Sequence, residues 1–213
     1  PMFGAVQTQV DQNIILMQII NEVAAKHGLA ALFEEKPFDG VNGSGKHNNW
    51  SIGTADGINL LNVGQLEAAT GDSEVFPVIM AAIIKAIDEH GDLIRCAIAS
   101  PGNDFRLGAC EAPPAIMSTY LGTSMTDYLQ DYAKSGNSKY TSASRFVELG
   151  PEGMAPLKVP AEDRNRTSPF PYGGHRFEFR AVGSSQNVSM VNTVLGSIVA
   201  KSFKEFADQI EGG

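Results

Sequence analysis

Apolar positions recur with two periods along the chain, and each change of period marks an element. Val10, Ile14, Met17, Ile20 and Ala24 follow helical spacing, and His27-Gly28 supplies a stop. The pattern predicts a helix with one core-facing side. Gln7, Gln9, Gln12 and Asn13 leave its other side polar but almost uncharged. Leu29 to Phe33 reads as a short strand, interrupted by Glu34-Glu35-Lys36-Pro37, and turns are expected at Asp56-Gly57 and Gly64. A second helix is expected from Ser73, whose hydroxyl suits an N-cap. Val75, Ile79, Ala82, Ile83, Ala86 and Ile87 form its buried stripe, and His90-Gly91 ends it. A shorter helix, Asp92 to Ala99, runs into a turn at Ser100-Pro101-Gly102, and Ala115 to Leu121 reads as a strand. Arg176-Phe-Glu-Phe-Arg180 alternates cleanly, with Phe177 and Phe179 toward a core and Arg176, Glu178 and Arg180 away from it. A last helix, Val188 to Ile210, buries Val191, Val194, Leu195, Ile198 and Phe206. Residues 122–162 are polar, rich in Ser, Thr, Gly and Pro, and weakly periodic, which reads as a long surface excursion.

The segment Asp39-Gly-Val-Asn-Gly-Ser-Gly-Lys-His-Asn-Asn-Trp-Ser51 breaks the pattern of apolar strands. Gly40, Gly43 and Gly45 allow a close backbone approach or a positive φ. Continued as a strand, the segment puts His47, Asn49 and Ser51 on one face and Lys46, Asn48 and Trp50 on the other. Gly40-x-x-x-x-Gly45-Lys46 matches a phosphate loop until its last position, where His47 replaces the Ser or Thr that would reach Mg²⁺. The phosphate loop also requires a helix to follow, whereas a strand follows here. Taken alone, the stretch reads first as a glycine-rich hairpin with a solvated histidine.

Composition narrows the class. The 213 residues carry 43% hydrophobic and 19% charged side chains, which describes a globular protein. A net charge of −8 argues against nucleic acid as a partner. No apolar run is long enough for a membrane span. Cys96 and Cys110, without a signal peptide, read as free thiols in a reducing, cytoplasmic compartment. The start at Pro1, directly against a helical pattern, reads as the interior of a longer protein. No internal repeat or interdomain linker is visible, so residues 1–213 are taken as part of one domain.

Several side chains are suited to chemistry. Four histidines and two cysteines show no pair at zinc spacing. A hard cation held by oxygens and one imidazole fits better, with His47 and Glu178 each giving a ligand from neighbouring strands; an ion pair of Glu178 with Arg176 or Arg180 is the plainer alternative. Arg106 and Glu111 lie in a loop dense in turn formers, where Arg can capture a carboxylate and Glu can serve as a mobile base, or the two can simply pair. Arg164 and Arg166 in Arg-Asn-Arg-Thr-Ser-Pro-Phe170 can hold phosphate or form an ordinary basic turn.

Taken together and in this order, these motifs resemble the catalytic domain of glutamine synthetase. Lys46-His-Asn-Asn-Trp-Ser51, Arg106-Leu-Gly-Ala-Cys-Glu-Ala-Pro-Pro114 and Phe177-Glu-Phe-Arg-Ala-Val-Gly-Ser-Ser-Gln186 are similar to the type III branch, nearly end to end. The resemblance implies an α+β fold, a curved and mostly antiparallel sheet backed by long helices. It implies ligation of glutamate and ammonia through a γ-glutamyl phosphate, with ATP as substrate, Mg²⁺ or Mn²⁺ as cofactor, and assembly as a homo-oligomer. On the same basis His47 and Glu178 are metal ligands, and Asn42, Gly43 and Arg106 border glutamate. Ser51, Asn49 and Arg166 lie on the nucleotide side. Glu111 closes the site and takes the ammonium proton, Arg166 clamps phosphate, and Arg180 stands near the reacting γ-group.

The departures from the family pattern are specific. Asn49 replaces a second His, Pro171 a phosphate-binding Arg, and Gln12 an expected His; Phe105 and Cys110 also differ. A replacement for the lost Arg is sought in Arg164 or Arg176. The carboxylate-rich metal strands and the amino-terminal β-grasp domain of the family have no counterpart in these residues, so the chain alone is expected to be inactive or weakly active. Two other readings stay open: a different carboxylate or guanidino phosphotransferase, and a non-catalytic oligomerisation module derived from the enzyme.

Overall fold

The computed structural model describes residues 4–109, 112–136, 139–140, 145–147, 157–159 and 167–212. Helix α1 (Val6–Lys26) leads to strand β1 (Gly45–Trp50), then α2 (Val63–Thr70), α3 (Val75–Ala97) and α4 (Pro101–Arg106). Strand β2 (Thr119–Tyr120), α5 (Thr123–Ser135), β3 (Arg145–Val147), β4 (Leu157–Val159), β5 (Phe170–Pro171), β6 (Phe177–Gly183) and α6 (Ser189–Gly212) follow. The described strands form three pairs. β1–β6 and β3–β4 are antiparallel, while β2–β5 is parallel. Mixed helix and sheet with long helices is the expected α+β class.

The core lies between the β1–β6 pair and the helices. β6 alternates as its sequence requires, burying Phe177, Phe179 and Ala181. Phe170 stacks on Phe177 at 4.6 Å and meets Phe179 edge-on at 5.7 Å, and Trp50 of β1 completes the aromatic group. Helix α3 buries Phe76, Met80, Ile83, Ala86 and Ile87 at helical spacing against Val191, Leu195, Ile198 and Val199 of α6. Each of these side chains larger than alanine contributes about 1.5–3 kcal/mol of transfer free energy. The Ser202 hydroxyl donates to Ala82 O at 2.7 Å across that contact. On its outer side Lys85 and Lys201 bridge Glu89 and Glu205, and the two lysines hold the Glu205 carboxyl at about 2.

Several sequence expectations are corrected. Residues 29–34 are irregular backbone, not a strand. Gly64 lies inside α2, which Asn62 caps by accepting from Gln65 N–H. Glu74, not Ser73, precedes α3, and no side chain caps it. The break expected at His90-Gly91 is present as a kink, where His90 leaves helical geometry at φ −126°, and the helical segment beyond it runs to Ala97. Ser100 opens a helix instead of a turn, since its hydroxyl accepts from Asn103 N–H and Pro101 suits the first turn. The strand predicted over 115–121 shrinks to Thr119–Tyr120. The polar excursion contains α5, bracketed by Gly122 and Gly136 at positive φ, with Met125 and Tyr128 buried. Finally, α1 buries no residue. Val10, Met17 and Ala24 are half-covered, but Ile14 and Ile20 are exposed with Ile15, Leu16 and Ile19. Among the described residues no helix is long and apolar enough to cross a membrane.

Candidate functional site

The site is built on the outer face of the β1–β6 pair. Gly45 lies opposite Gly183, Lys46 opposite Val182, Asn48 opposite Phe179, and Asn49 opposite Glu178. The register slips between Lys46 and Asn48, so Arg180 and Ala181 together face His47. Such a bulge sharpens the local twist and re-aims side chains. His47 Nδ1 and Glu178 Oε1 are 2.8 Å apart. Arg180 donates from Nη2 and Nε to Glu178 Oε2, at 2.9 and 3.3 Å. Burial pushes the Glu178 carboxyl up, but the hydrogen bonds and charge of Arg180, and then His47, outweigh it and hold the group below the ordinary value. Along the same face Arg176 Nε donates to Asn49 Oδ1 at 2.7 Å.

Arg106 reaches this pair from the end of α4 and is only 6% exposed. Its Nε donates to Asn103 Oδ1 at 3.1 Å, and Nη2 donates to the carbonyls of Arg180 and Val182, each at 3.4 Å. Burial lowers its pKa, with the negative charge of Glu35 opposing. Asn103 is fully buried and anchors the arrangement by donating to Ile98 O and Ala181 O at 2.8 and 3.0 Å.

The glycines provide the two things the sequence suggests, a positive φ and a close approach. Only Gly40 of the three has positive φ. A Cβ at Gly43 would stand 2.3 Å from Glu35 O, and one at Gly45 would stand 2.3 Å from Arg106 Nη1. They make room for the protein's own Glu35 and Arg106. Asn42 and Ser51 are exposed at the two ends of this segment. Glu111 and Arg166, and with them Arg164 and Cys110, lie outside the described residues. Pro171 is buried in β5 opposite Tyr120. A groove of about 700 Å³, bordered by Ile84, Met117, Leu129, Tyr132 and Phe206, contains none of the candidate residues.

Sequence reasoning missed Glu35 and Asn103. Glu35 was one of two adjacent glutamates in a charged interruption, and nothing local distinguishes it from Glu34. Asn103 followed Pro101-Gly102 and read as turn chemistry.

Comparison with known proteins now places the chain. Residues 2–101 match the family description "Glutamine synthetase, catalytic domain". The chain is 46% identical over 210 residues to a type-3 glutamine synthetase of Dictyostelium discoideum, covering 99% of this chain and 28% of that protein. It is 38% identical over 213 residues to a glutamine synthetase of Bacteroides fragilis, covering 29% of it, and 41% identical over 184 residues to one from Butyrivibrio fibrisolvens, covering 25%. The chain belongs to the glutamine synthetase family. It spans under a third of the length of these relatives.

The divalent cation implied by the resemblance can be tested against the donors present. His47 and Glu178 supply one imidazole and one carboxylate, already hydrogen-bonded to each other. Among the described residues no group of three or more His, Cys, Asp or Glu side chains is placed to hold a metal ion. Hard cations take about six ligands, so the described residues do not by themselves fit one.

Proposed function

We propose that the intact protein containing this chain joins ammonia to glutamate with ATP, through a γ-glutamyl phosphate, and that this chain supplies part of that site. The observation that carries the reading is the tie between two arginines. Arg106 donates to the carbonyl of Arg180, while the Arg180 side chain is held by Glu178 and, through it, by His47. Acyl-phosphate chemistry needs fixed positive charge near the carboxylate that reacts and near the phosphoryl group that moves, more than it needs a protein nucleophile. In this reading Arg106, beside Asn42 and Gly43, orients glutamate, and Arg180 lies at its γ-carboxylate. Asn49 and Ser51 border the nucleotide, with Arg176 oriented by Asn49. Arg166 clamps phosphate, and Glu111 accepts the ammonium proton. His47 and Glu178 contribute two ligands toward Mg²⁺ or Mn²⁺, the others coming from the rest of the protein. Assembly as a homo-oligomer and residence in the cytoplasm belong to the same proposal.

The test is phosphate release by the intact protein with ATP, Mg²⁺, glutamate and ammonia. Release that depends on both glutamate and ammonia is expected. Release with other acids or amines but not with these overturns the reading in favour of a different phosphotransferase, and no release leaves the non-catalytic module. The 213-residue chain alone is expected to show little or no turnover.

A further inference from the structure

Glu35 belongs to no helix or strand, yet it is 3% exposed. Its Oε1 accepts from Ser185 N–H at 3.1 Å and from the Ser185 hydroxyl at 2.7 Å. Two glycines make space for it. A Cβ at Gly102 would lie 2.5 Å from Oε2, and one at Gly183 would lie 2.2 Å from Oε1. Its main-chain carbonyl accepts from Ser44 N–H at 2.8 Å and blocks any side chain at Gly43. One residue therefore ties together the glycine loop, the first turn of α4 and the turn after β6.

A buried carboxylate is costly unless hydrogen bonds and opposite charge offset its lost hydration. The two Ser185 donors meet one oxygen only. Its charge acts on Lys46 and Arg106, opposing the larger effect of burial on each. Lys46 itself donates to Gln186 O and Met17 Sδ. The relation is reciprocal. The acceptors around Arg106, namely Asn103 Oδ1 and the carbonyls of Arg180 and Val182, are all neutral. Gly45 and Gly183 lie opposite each other in the strand pair, with the Arg106 guanidinium against the first and the Glu35 carboxylate against the second, so Glu35 is the negative charge set near that buried guanidinium.

We infer that Glu35 is a positioning residue: the buried counter-charge that keeps Arg106 seated beneath Gly45, in the pose from which it receives the substrate carboxylate. The last clause rests on the proposed function; the seating itself does not. Removing the charge while keeping the shape unseats the guanidinium and weakens glutamate binding without touching the nucleotide side.

Glu35→Gln in the intact protein tests this, because the amide oxygen still accepts both Ser185 hydrogen bonds. The first readout is the rate at which phenylglyoxal modifies Arg106, measured by peptide mass spectrometry and divided by the rate at Arg95. The ratio is expected to rise by about fivefold or more, as a lost buried counter-charge loosens its partner. The division removes any general loosening of the fold. The second readout is kinetic: KM for glutamate rises by about tenfold or more while KM for ATP stays within about twofold, since tenfold corresponds to ~1.4 kcal/mol of binding. Glu35→Asp, which keeps the charge, recovers part of both. An unchanged modification ratio, or a parallel rise in both KM values, overturns the inference. Should Glu35→Gln fail to fold, Ser185→Ala, which loosens the carboxylate, is expected to move both readouts in the same direction, and its failure to do so overturns the inference equally. A wild-type protein without glutamate turnover sinks the proposed function, while the modification ratio still decides the link between Glu35 and Arg106.

Discussion

On its inner face the β1–β6 pair packs Trp50, Phe177 and Phe179 around Phe170. On its outer face it links His47, Glu178 and Arg180 by hydrogen bonds, with His47 still largely exposed. The inner face is held by area removed from water, which is insensitive to the identity of any single polar group. The outer face is held by directed bonds between charges, each of which has one geometry. The same strands thus carry a stable platform and a chemically poised surface, and the two should fail in different ways when perturbed.

The largest effect is expected inside. Phe179→Ala should lower unfolding free energy by about 3–5 kcal/mol, the range for truncating a buried aromatic, measured by denaturant titration. A smaller loss would mean that neighbouring helices collapse into the gap. Outside, Glu178→Gln should cost the intact protein at least ~100-fold in kcat/KM for glutamate, because Arg180 loses its charged partner beside the reacting group. Its denaturation midpoint should move little, as for other partly exposed ion pairs. Equal losses of stability and activity would erase the distinction between the faces. Asn103→Ala lies between them. It strips one partner from Arg106 Nε and two from the backbone, and should cost about 1–3 kcal/mol of stability together with weaker glutamate binding.

The smallest effect is a pH dependence. The Glu178 carboxyl titrates below its ordinary value in the folded chain. Its contribution to stability is therefore complete above the unfolded carboxylate pKa and disappears as pH falls through the folded one. Glu205, held at about 2 by Lys85 and Lys201, behaves in the same sense, losing its contribution between an unfolded value near 4.5 and about 2. Acid unfolding curves of Glu178→Gln and Glu205→Gln should converge with wild type at low pH and separate toward neutrality. Curves that separate only in acid would contradict the sign.

Much of the inner face was legible in the sequence. The alternation of Phe177 and Phe179 became a buried row, and so did most of the stripes of α3 and α6, while Val75, Ile79, Val194 and Phe206 are half-covered. The pairing of His47 with Glu178 required the motifs to be read together, since no local rule joins residues so distant in the chain. Other features were hidden because they depend on what lies opposite. α5 carries Met125, Tyr128, Leu129 and Tyr132 at helical spacing, but Ser, Thr and Asp between them masked the period. α1 carries a convincing apolar stripe and buries none of it, because a stripe is covered only where another element meets it. Glu35 and Asn103 gained their roles wholly from tertiary neighbours.

The close approach of Gly45 to Arg106 bears on how this sequence can vary. A side chain at position 45 collides with a guanidinium that Asn103 and two carbonyls hold in place, and one at position 43 collides with main chain. Positions 43, 45, 35 and 106 are therefore not free to drift independently. A substitution at Gly45 is tolerated only after Arg106 has shortened or turned away, so the order in which changes arise decides which of them survive. An alanine at Gly45, made to look for a ligand contact, would report instead on the packing of an arginine behind it.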